Sequence, residues 1–318
     1  MTTQTEKINN EFVDRQLKTT DKSLQKLEEQ ISDLDAKVDG LLSEYVFEPG
    51  PQPAKPEETM VWGVPFSRLS FGETLQHIDQ LIASRQPGYF ITANLNYNML
   101  TDRHPELDEV NRNASFIVCD GMPMVWYSKL TGQPLPERIA GSELIYALNK
   151  WAAARGHRVF FLGGAPGIAQ AAADQLTERY PGLQVVGVES PPYRPLSDQE
   201  KQDLLDRIGE SKPDIVFVAF GQPKGEKWIA ENYETIGAPV CVQIGASFDF
   251  VAGGVSRAPK WIQSIGMEWF YRLAQEPKRL VGRYCSNLLF LMKAVLRDMF
   301  GFGQRQAKKN VSKSEGAK

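Results

Sequence analysis

The chain has 318 residues, of which 42% are hydrophobic and 24% charged, and its formal net charge is −3. This composition allows one sizeable core with appendages. The three cysteines, Cys119, Cys241 and Cys285, form neither a CxxC pair nor an even framework, which argues against a zinc site or a disulfide scaffold and predicts reduced thiols in a cytoplasmic protein. The polar first residues and the lack of about 18 uninterrupted apolar residues predict neither a secretory signal nor a membrane-spanning helix.

Charge is distributed unevenly along the chain. Residues 1–60 contain 13 acidic and 7 basic residues, whereas residues 257–318 contain 13 basic and 4 acidic ones. A basic end with aromatic residues and leucines suits an anionic membrane surface, and nucleic acid is the weaker alternative because no recognition motif accompanies the charge.

The first predicted element is a coiled-coil helix within residues 1–46. Its seam positions alternate in steps of three and four: Leu17, Thr20, Leu24, Leu27, Ile31, Leu34, Val38, Leu41 and Tyr45. This pattern predicts a homo-oligomer, and the alternative is one amphipathic helix lying on the rest of the chain. Residues 47–59 are rich in proline and predict a semi-rigid, extended linker.

Residues 60–265 alternate short apolar runs with amphipathic stretches, which predicts an α/β domain with a mostly parallel, Rossmann-like sheet and helices on both faces. The candidate strands are residues 89–92, 116–119, 159–162, 184–188, 215–220 and 240–244. Most of them run into small or polar residues, among them Asn94, Asp120 and Gly245. Because ligands in such sheets bind beyond the carboxyl ends of the strands, these residues predict one crevice.

Two charged residues near the strand ends have both a chemical and a structural interpretation. Asp120 can accept a proton from an attacking hydroxyl, or it can cap a helix. Arg138 can bind a phosphate or a sugar carboxylate, or it can form a surface ion pair with Glu137 or Glu143.

Gly163 and Gly164 follow a strand and open a helix. Their amides can meet a phosphate, while the alternative is a tight turn between strand and helix. The full GxGxxG spacing and the Walker lysine are both missing, which argues against a P-loop and against a nicotinamide-dependent oxidoreductase.

Six short motifs resemble those of a family of bacterial glycosyltransferases. They are Thr92-Ala93-Asn94, Cys119-Asp120-Gly121-Met122-Pro123, Glu137-Arg138-Ile139-Ala140-Gly141, Phe161-Leu162-Gly163-Gly164, Gly221-Gln222-Pro223-Lys224-Gly225-Glu226-Lys227-Trp228 and Phe248-Asp249-Phe250 with the arginines that follow it. The family, of the WecG/TagA/CpsF type, includes the N-acetylmannosamine transferase of wall teichoic acid synthesis and the N-acetylmannosaminuronic acid transferase of enterobacterial common antigen. The resemblance extends from about residue 62 to residue 283.

The resemblance implies the transfer of a sugar from a UDP-sugar to a polyprenyl-diphosphate-linked acceptor, with inversion and without a further cofactor. It implies that Asp120 is the general base and that Thr92 and Asn94 line the active site. It also implies contacts to the nucleotide from Gly221, Gln222, Pro223, Lys224 and Glu226. This chain departs from the family at Gly225, where a glutamine is usual, and Gln222 is a candidate for the missing contact.

The diphosphate is expected to be held by arginines rather than by a metal. Residues 60–265 contain no Asp-x-Asp motif, so a metal site is not predicted. Arg272, Arg279 and Arg283 are expected to offset the charge on departing UDP, and Asp249 is expected to bind uridine or to order a loop.

Residues 266–303 predict a helical appendage, followed by a disordered basic tail at 304–318. Lys293 and Arg297 interrupt the apolar residues, so this helix is expected to lie in the plane of the inner membrane surface. The alternative is a core helix that caps the domain.

For the whole chain, the competing hypothesis is a non-catalytic scaffold that binds a nucleotide sugar. The departure at Gly225 and the N-terminal extension favour this hypothesis.

Overall fold

The structure, a computed structural model, describes residues 25–45, 51–253, 262, 268–275 and 277–300. Its strands are β1 (Glu58–Val61), β2 (Val64–Ser67), β3 (Tyr89–Ala93), β4 (Phe116–Cys119), β5 (Arg158–Gly163), β6 (Gln184–Glu189), β7 (Ile215–Ala219) and β8 (Val240–Gln243). Six of them form one sheet in the order β4-β3-β8-β7-β5-β6, and every pair in it is parallel. The predicted α/β fold class is therefore confirmed.

Helices connect these strands and cover the sheet. They are α1 (25–44), α2 (Phe71–Ser84), α3 (Leu95–Arg103), α4 (Leu107–Asn113), α5 (Met122–Leu130), α6 (Gly141–Arg155), α7 (Ile168–Arg179), α8 (Asp198–Glu210), α9 (Lys224–Ile236), α10 (Ser247–Val251), α11 (Glu268–Gln275) and α12 (Pro277–Met299).

Successive strand residues point to opposite faces of the sheet, so the protein has an apolar core on each face. Phe161 and Phe217 belong to the core beneath α2, α6 and α7. Phe160 and Val218 belong to the opposite core, beneath α3, α4, α5, α8 and α9. Strands buried on both faces are apolar throughout, which is why the sequence predicted them as continuous apolar runs.

A short hairpin precedes the sheet and was not predicted. β1 and β2 pair antiparallel, and Phe66 is fully buried in the second core. The Ser67 hydroxyl accepts a hydrogen bond from the backbone N–H of Ile117 in β4 at 3.1 Å. The hairpin therefore lies beside β4, which is an edge strand of the sheet and would otherwise expose unpaired backbone groups.

Helix α1 lies on the first core. Ile31 and Val38 are buried there, and the other described seam residues, Leu27, Leu34, Leu41 and Tyr45, pack against the same cluster. The described seam residues therefore pack against the domain of the same chain, which matches the alternative of one amphipathic helix lying on the rest of the chain. Self-association through the seam stays a prediction. The seam positions Leu17, Thr20 and Leu24 lie outside the described residues.

Polar contacts fix the position of α1 along the domain. Asp35 accepts hydrogen bonds from the hydroxyl of Tyr180 at 2.7 Å and from Nη2 of Arg179 at 3.1 Å. Lys150 of α6 donates to the Asp39 carboxylate at 2.7 Å. These contacts are directional, so they specify the register of a helix that apolar packing alone would leave free to slide.

Helix α12 packs on the second core through one face. Leu280, Phe290 and Ala294 are buried, and the Tyr127 hydroxyl donates to Asp298 at 2.5 Å. The opposite face exposes Leu288, Leu289, Met292, Leu296 and Met299. One face thus matches the alternative of a helix that caps the domain, and the other face is an apolar surface without a partner among the described residues. The predicted tail at 304–318 lies outside them.

None of the helices in the described ranges combines the length and the hydropathy that crossing a bilayer requires.

Val38→Asp is expected to release α1 from the domain, because it places a carboxylate at a position that is 0% exposed. The helix can detach, so the loss in free energy of unfolding is limited to the docking energy of α1, about 2–4 kcal/mol. Denaturant unfolding and limited proteolysis of residues 25–57 measure the two effects.

Ala36→Asp is the matched control, since it introduces the same group on the exposed side of the same helix. Equal stability and equal cleavage of the two variants would show that α1 does not dock as described. If Val38→Asp only converted an oligomer into a monomer, the seam would serve self-association instead.

Candidate active site

Five neighbouring strands end at one edge of the sheet and carry most of the predicted site residues there. In the register of the sheet, Cys119 pairs with Ala93, Gln243 with Val218, and Ala219 with Gly163. The residues that follow these strand ends are Asp120, Asn94, Gly245, Phe220-Gly221 and Gly164. Parallel pairing thus brings together side chains that are far apart in the sequence.

Asp120 lies just past β4, where its backbone N–H donates to the carbonyl of Ala93 at 2.9 Å. The N-cap residue of α5 is Gly121, so Asp120 does not cap the helix that follows it. Its Oδ2 instead accepts from the backbone N–H of Gly141, the first residue of α6, at 3.4 Å. The side chain is 28% exposed, so a ligand in the crevice can reach the carboxylate.

Arg138 lies beside Asp120 on the loop that leads into α6. Its Nη2 donates to Oε1 of Glu143 at 3.1 Å, and its Nη1 is 3.8 Å from Oδ1 of Asp120. Glu137 faces away and accepts from the backbone N–H of Phe71 at 2.8 Å. The ion pair with Glu143 that the sequence allowed is therefore present, and the same guanidinium also contacts the candidate base.

Thr92 is largely buried behind Gly141. Its hydroxyl donates to the carbonyl of Gln243 at 3.0 Å and so ties β3 to β8. A Cβ placed on Gly141 would lie 3.5 Å from the Thr92 hydroxyl and 3.9 Å from that of Ser247. Gly141 was predicted only as part of a motif, but the structure makes it the point where Asp120, Thr92 and Ser247 meet.

Asn94 is the N-cap residue of α3, and its Oδ1 accepts from the backbone N–H of Tyr97 at 3.1 Å. The side-chain oxygen of Asn94 is therefore used in a local backbone contact. Two residues later, Asn96 donates from Nδ2 to Oε1 of Gln222 at 3.1 Å. The first turn of α3 is therefore joined to the turn that follows β7.

Gly163 and Gly164 form a tight turn whose shape depends on glycine. Gly163 has φ +104°, and a Cβ there would lie 2.8 Å from the carbonyl of Ala219. The N–H of Gly164 donates to that same carbonyl at 3.1 Å, so this amide is already used. The observed contacts match the structural alternative, and phosphate binding by this turn stays a prediction.

The turn after β7 leads into α9 and contains the residues expected to hold a nucleotide. Gly221 is exposed with φ +77°, the Gln222–Pro223 peptide bond is cis, and Pro223 is the N-cap residue of α9. Lys224 is exposed, with Nζ 5.9 Å from the centre of the Phe220 ring. Gly221, Gln222 and Lys224 can therefore be reached from the crevice.

Glu226 differs from its neighbours because it is only 2% exposed. Gln222 lies close enough to interact with the carboxyl group, but this interaction does not offset the effect of burial. Burial raises the pKa of Glu226 from 4.5 to about 8, since the charged form loses its hydration. This residue lies beneath the turn after β7 rather than on its surface.

Asp249 and the arginines occupy different parts of the protein. Asp249 is partly buried in α10, next to Phe248, whose ring packs on Phe161 at a centroid distance of 5.4 Å. Arg283 is exposed on α12, 5.3 Å from the ring of Tyr284. Arg272 and Arg279 lie on α11 and α12, but their side chains are outside the described part of the chain.

Gln243 was not predicted as a site residue, yet it lies at the centre of the edge. A Cβ on Gly225 would lie 2.5 Å from its side-chain Cδ. The side chain of Gln243 therefore fills the space that a side chain at residue 225 would need. An amide at the end of an apolar strand was the only signal in the sequence.

Within the described ranges, no group of three or more His, Cys, Asp or Glu side chains is arranged to hold a metal ion.

A polar crevice at the carboxyl edge of a parallel sheet is typical of α/β enzymes that bind nucleotides. A model of the glycosyl transferase WecG/TagA/CpsF family matches residues 59–304. The chain is 33% identical over 221 residues to an N-acetylglucosaminyldiphosphoundecaprenol N-acetyl-beta-D-mannosaminyltransferase of Bacillus spizizenii, covering 68% of this chain and 84% of that protein. An enzyme of the same name from Staphylococcus aureus is 31% identical over 235 residues, covering 73% of this chain and 90% of the relative. The chain belongs to the glycosyl transferase WecG/TagA/CpsF family, as the motifs predicted.

Glu226→Gln is expected to flatten the pH dependence of stability. Between pH 4.5 and about 8, Glu226 keeps its proton in the folded protein but has lost it in the unfolded chain. The free energy of unfolding therefore falls as the pH rises through this interval, by at most about 1.4 kcal/mol per pH unit. Denaturant titrations at several pH values between 5 and 8 measure the slope.

The control for this prediction is Glu231→Gln, which removes an exposed carboxylate from the same helix. It is expected to leave the pH dependence unchanged. An identical slope in wild type and Glu226→Gln would mean that Glu226 is ionised and hydrated in the folded protein.

Proposed function

We propose that the protein is an inverting, metal-independent glycosyltransferase that moves a sugar from a UDP-sugar to a polyprenyl-diphosphate-linked acceptor in surface polysaccharide synthesis. It acts from the inner face of the plasma membrane. Self-association through α1 stays a separate prediction, because the described part of its seam packs within one chain.

The observation that carries the proposal is the placement of Asp120. Its carboxylate is accessible and lies at the edge where the strands end, 3.8 Å from the guanidinium of Arg138 and near the N-terminus of α6. A carboxylate held in one place by a cation and a backbone amide is suited to accept a proton from a hydroxyl. The named activity of both relatives, transfer to a lipid-linked sugar, supports the same chemistry.

In the proposed reaction, a hydroxyl of the acceptor sugar attacks the anomeric carbon of the donor from the face opposite UDP. The new glycosidic bond forms as the bond between the anomeric carbon and the diphosphate breaks, and Asp120 takes the hydroxyl proton. UDP leaves with the bonding electrons. Arg272, Arg279 and Arg283 are proposed to offset its charge, in place of a metal ion.

The donor is proposed to bind across the turn after β7. Gly221, Gln222, Pro223 and Lys224 present backbone and side-chain groups there, and Asp249 of α10 is proposed to border the crevice. Gln222 is held by Asn96 at 3.1 Å, so its amide is already oriented before the donor arrives. Glu226 is proposed to act from below, because its buried position prevents direct contact with the donor.

Membrane docking is proposed for the exposed face of α12. Leu288, Met292 and Leu296 are spaced by four residues, so they form one apolar line along the helix. Lys278, Arg283 and Lys293 are exposed on the same helix. An apolar line flanked by cations suits an anionic lipid surface, where a polyprenyl acceptor would also reside.

The two features that favoured the scaffold hypothesis both have a structural explanation. Gly225 suggested a degenerate nucleotide site, but the space at this position is filled by Gln243 rather than left empty. The second support, the N-terminal extension, forms a helix docked on the domain. Neither feature therefore favours a non-catalytic protein.

Asp120→Asn is expected to lower turnover by about 10²- to 10⁴-fold, because the amide cannot accept the proton of the attacking hydroxyl. The assay follows UDP release from a panel of UDP-sugars, with a detergent-solubilised polyprenyl-diphosphate-linked sugar as the acceptor. Performing it with and without EDTA tests the proposed independence of metal.

Asp206→Asn is the control variant, since Asp206 is exposed on α8, which contains none of the predicted site residues. A folded Asp120→Asn protein with turnover near that of wild type would disprove the role of Asp120. Binding of UDP-sugar by wild type without any turnover would favour the scaffold instead.

The double variant Leu288→Glu, Met292→Glu is expected to weaken binding to vesicles that contain anionic lipid by at least about tenfold, because two apolar contacts are replaced by charges that the lipid repels. Vesicle sedimentation measures the effect. Tyr193→Glu, at a position exposed on a loop after β6, serves as the control. Equal sedimentation of both variants would exclude this face as the docking surface.

A further inference from the structure

Gly225 and Gln243 share a single space in the protein. A Cβ on Gly225 would lie 2.5 Å from Cδ of Gln243 and 2.7 Å from both its Oε1 and its Nε2. Such distances are well inside van der Waals contact, so any side chain at residue 225 would displace this carboxamide. Glycine at this position thus lets the amide of Gln243 lie directly against the first turn of α9.

The backbone of the nucleotide turn satisfies the buried amide of Gln243. With the amide oriented so that its oxygen faces a donor and its nitrogen faces an acceptor, the oxygen accepts from the N–H of Gly221 at 2.8 Å and the nitrogen donates to the carbonyl of Val218. The residue is only 2% exposed, so these hydrogen bonds have little competition from water. One side chain therefore fixes the end of β7 and the first residue of the turn at the same time.

The main chain of Gln243 reaches the other half of the site. It lies between Ile91 of β3 and Val218 of β7 in the sheet, and its carbonyl accepts from the hydroxyl of Thr92 at 3.0 Å. Gly221, whose N–H its side chain holds, is exposed to the crevice with φ +77°. Gln243 consequently joins the β3 side of the crevice, near Asp120, to the turn proposed to hold the donor.

We propose that Gln243 is a positioning residue for the donor: its carboxamide holds Gly221 in the conformation that the UDP-sugar binds. This inference rests on the proposed function. Gln243 itself is too buried to touch the donor, so it acts through the turn. Loss of the amide is expected to weaken donor binding more than it slows the chemical step.

Gln243→Met tests this inference, because methionine is of similar length but cannot form the two hydrogen bonds. The expected result is a rise of about tenfold in the KM for the UDP-sugar, with kcat changed by less than about threefold. Gln202→Met, on the exposed side of α8, is the control. Thermal unfolding of both variants separates a local effect from a general loss of structure.

A second experiment supplies the carboxamide from the opposite side. Gly225→Gln alone is expected to raise the KM for the donor, because two side chains compete for one space. Gln243→Gly alone is expected to raise it because the amide is missing. The double variant Gly225→Gln, Gln243→Gly contains one carboxamide in that space and is expected to return the KM to within about threefold of wild type.

The outcomes separate this inference from the proposed function. An active wild type with an unchanged KM in Gln243→Met, or a double variant no better than Gln243→Gly, would overturn the role of Gln243 alone. Wild type that neither binds UDP nor transfers a sugar would overturn the proposed function, and this inference with it. If Gln243→Met did not fold, the comparison between the double variant and Gln243→Gly would decide the matter.

Discussion

The candidate site depends on the parallel pairing of β4, β3, β8, β7 and β5. Parallel strands all end at the same edge, so a polar residue after each strand meets the polar residues of its neighbours. Asp120 and Gly221 are about a hundred positions apart in the sequence, yet their strands are separated by only two others. A slip of one residue between β8 and β7 would turn the side chain of Gln243 to the other face and leave the N–H of Gly221 without its acceptor.

Both faces of this sheet are covered by elements from the ends of the described chain. Helix α1 adds Ile31 and Val38 to the first core, while α12 adds Phe290 and Ala294 to the second. The two helices differ in what they leave exposed. The outward face of α1 is mostly charged, whereas that of α12 presents leucines and methionines, so of these two helices α12 has the surface suited to lipid.

The sequence predicted the sheet better than the contacts within the site. Buried parallel strands are continuous apolar runs, so all six were found, with errors only at their ends. The hairpin of β1 and β2 was missed because each of its strands has only four residues and because the hairpin follows a proline-rich stretch. The seam of α1 was recognised, but an apolar stripe does not reveal which surface it will contact. Gln243 was missed because its meeting with Gly225 depends on the packing of a helix against a strand.

The docking of α1 also has a consequence for the order in which the protein is synthesised. Its partners Lys150, Arg179 and Tyr180 lie far downstream, so the surface that receives α1 does not exist until β3, β4 and β5, half of the strands of the sheet, have been translated. Until then the seam of the nascent helix remains uncovered while the β3 to β5 segment emerges. Helix α1 is thus made before the elements that it packs on, and it can complete the first core only after they have been translated.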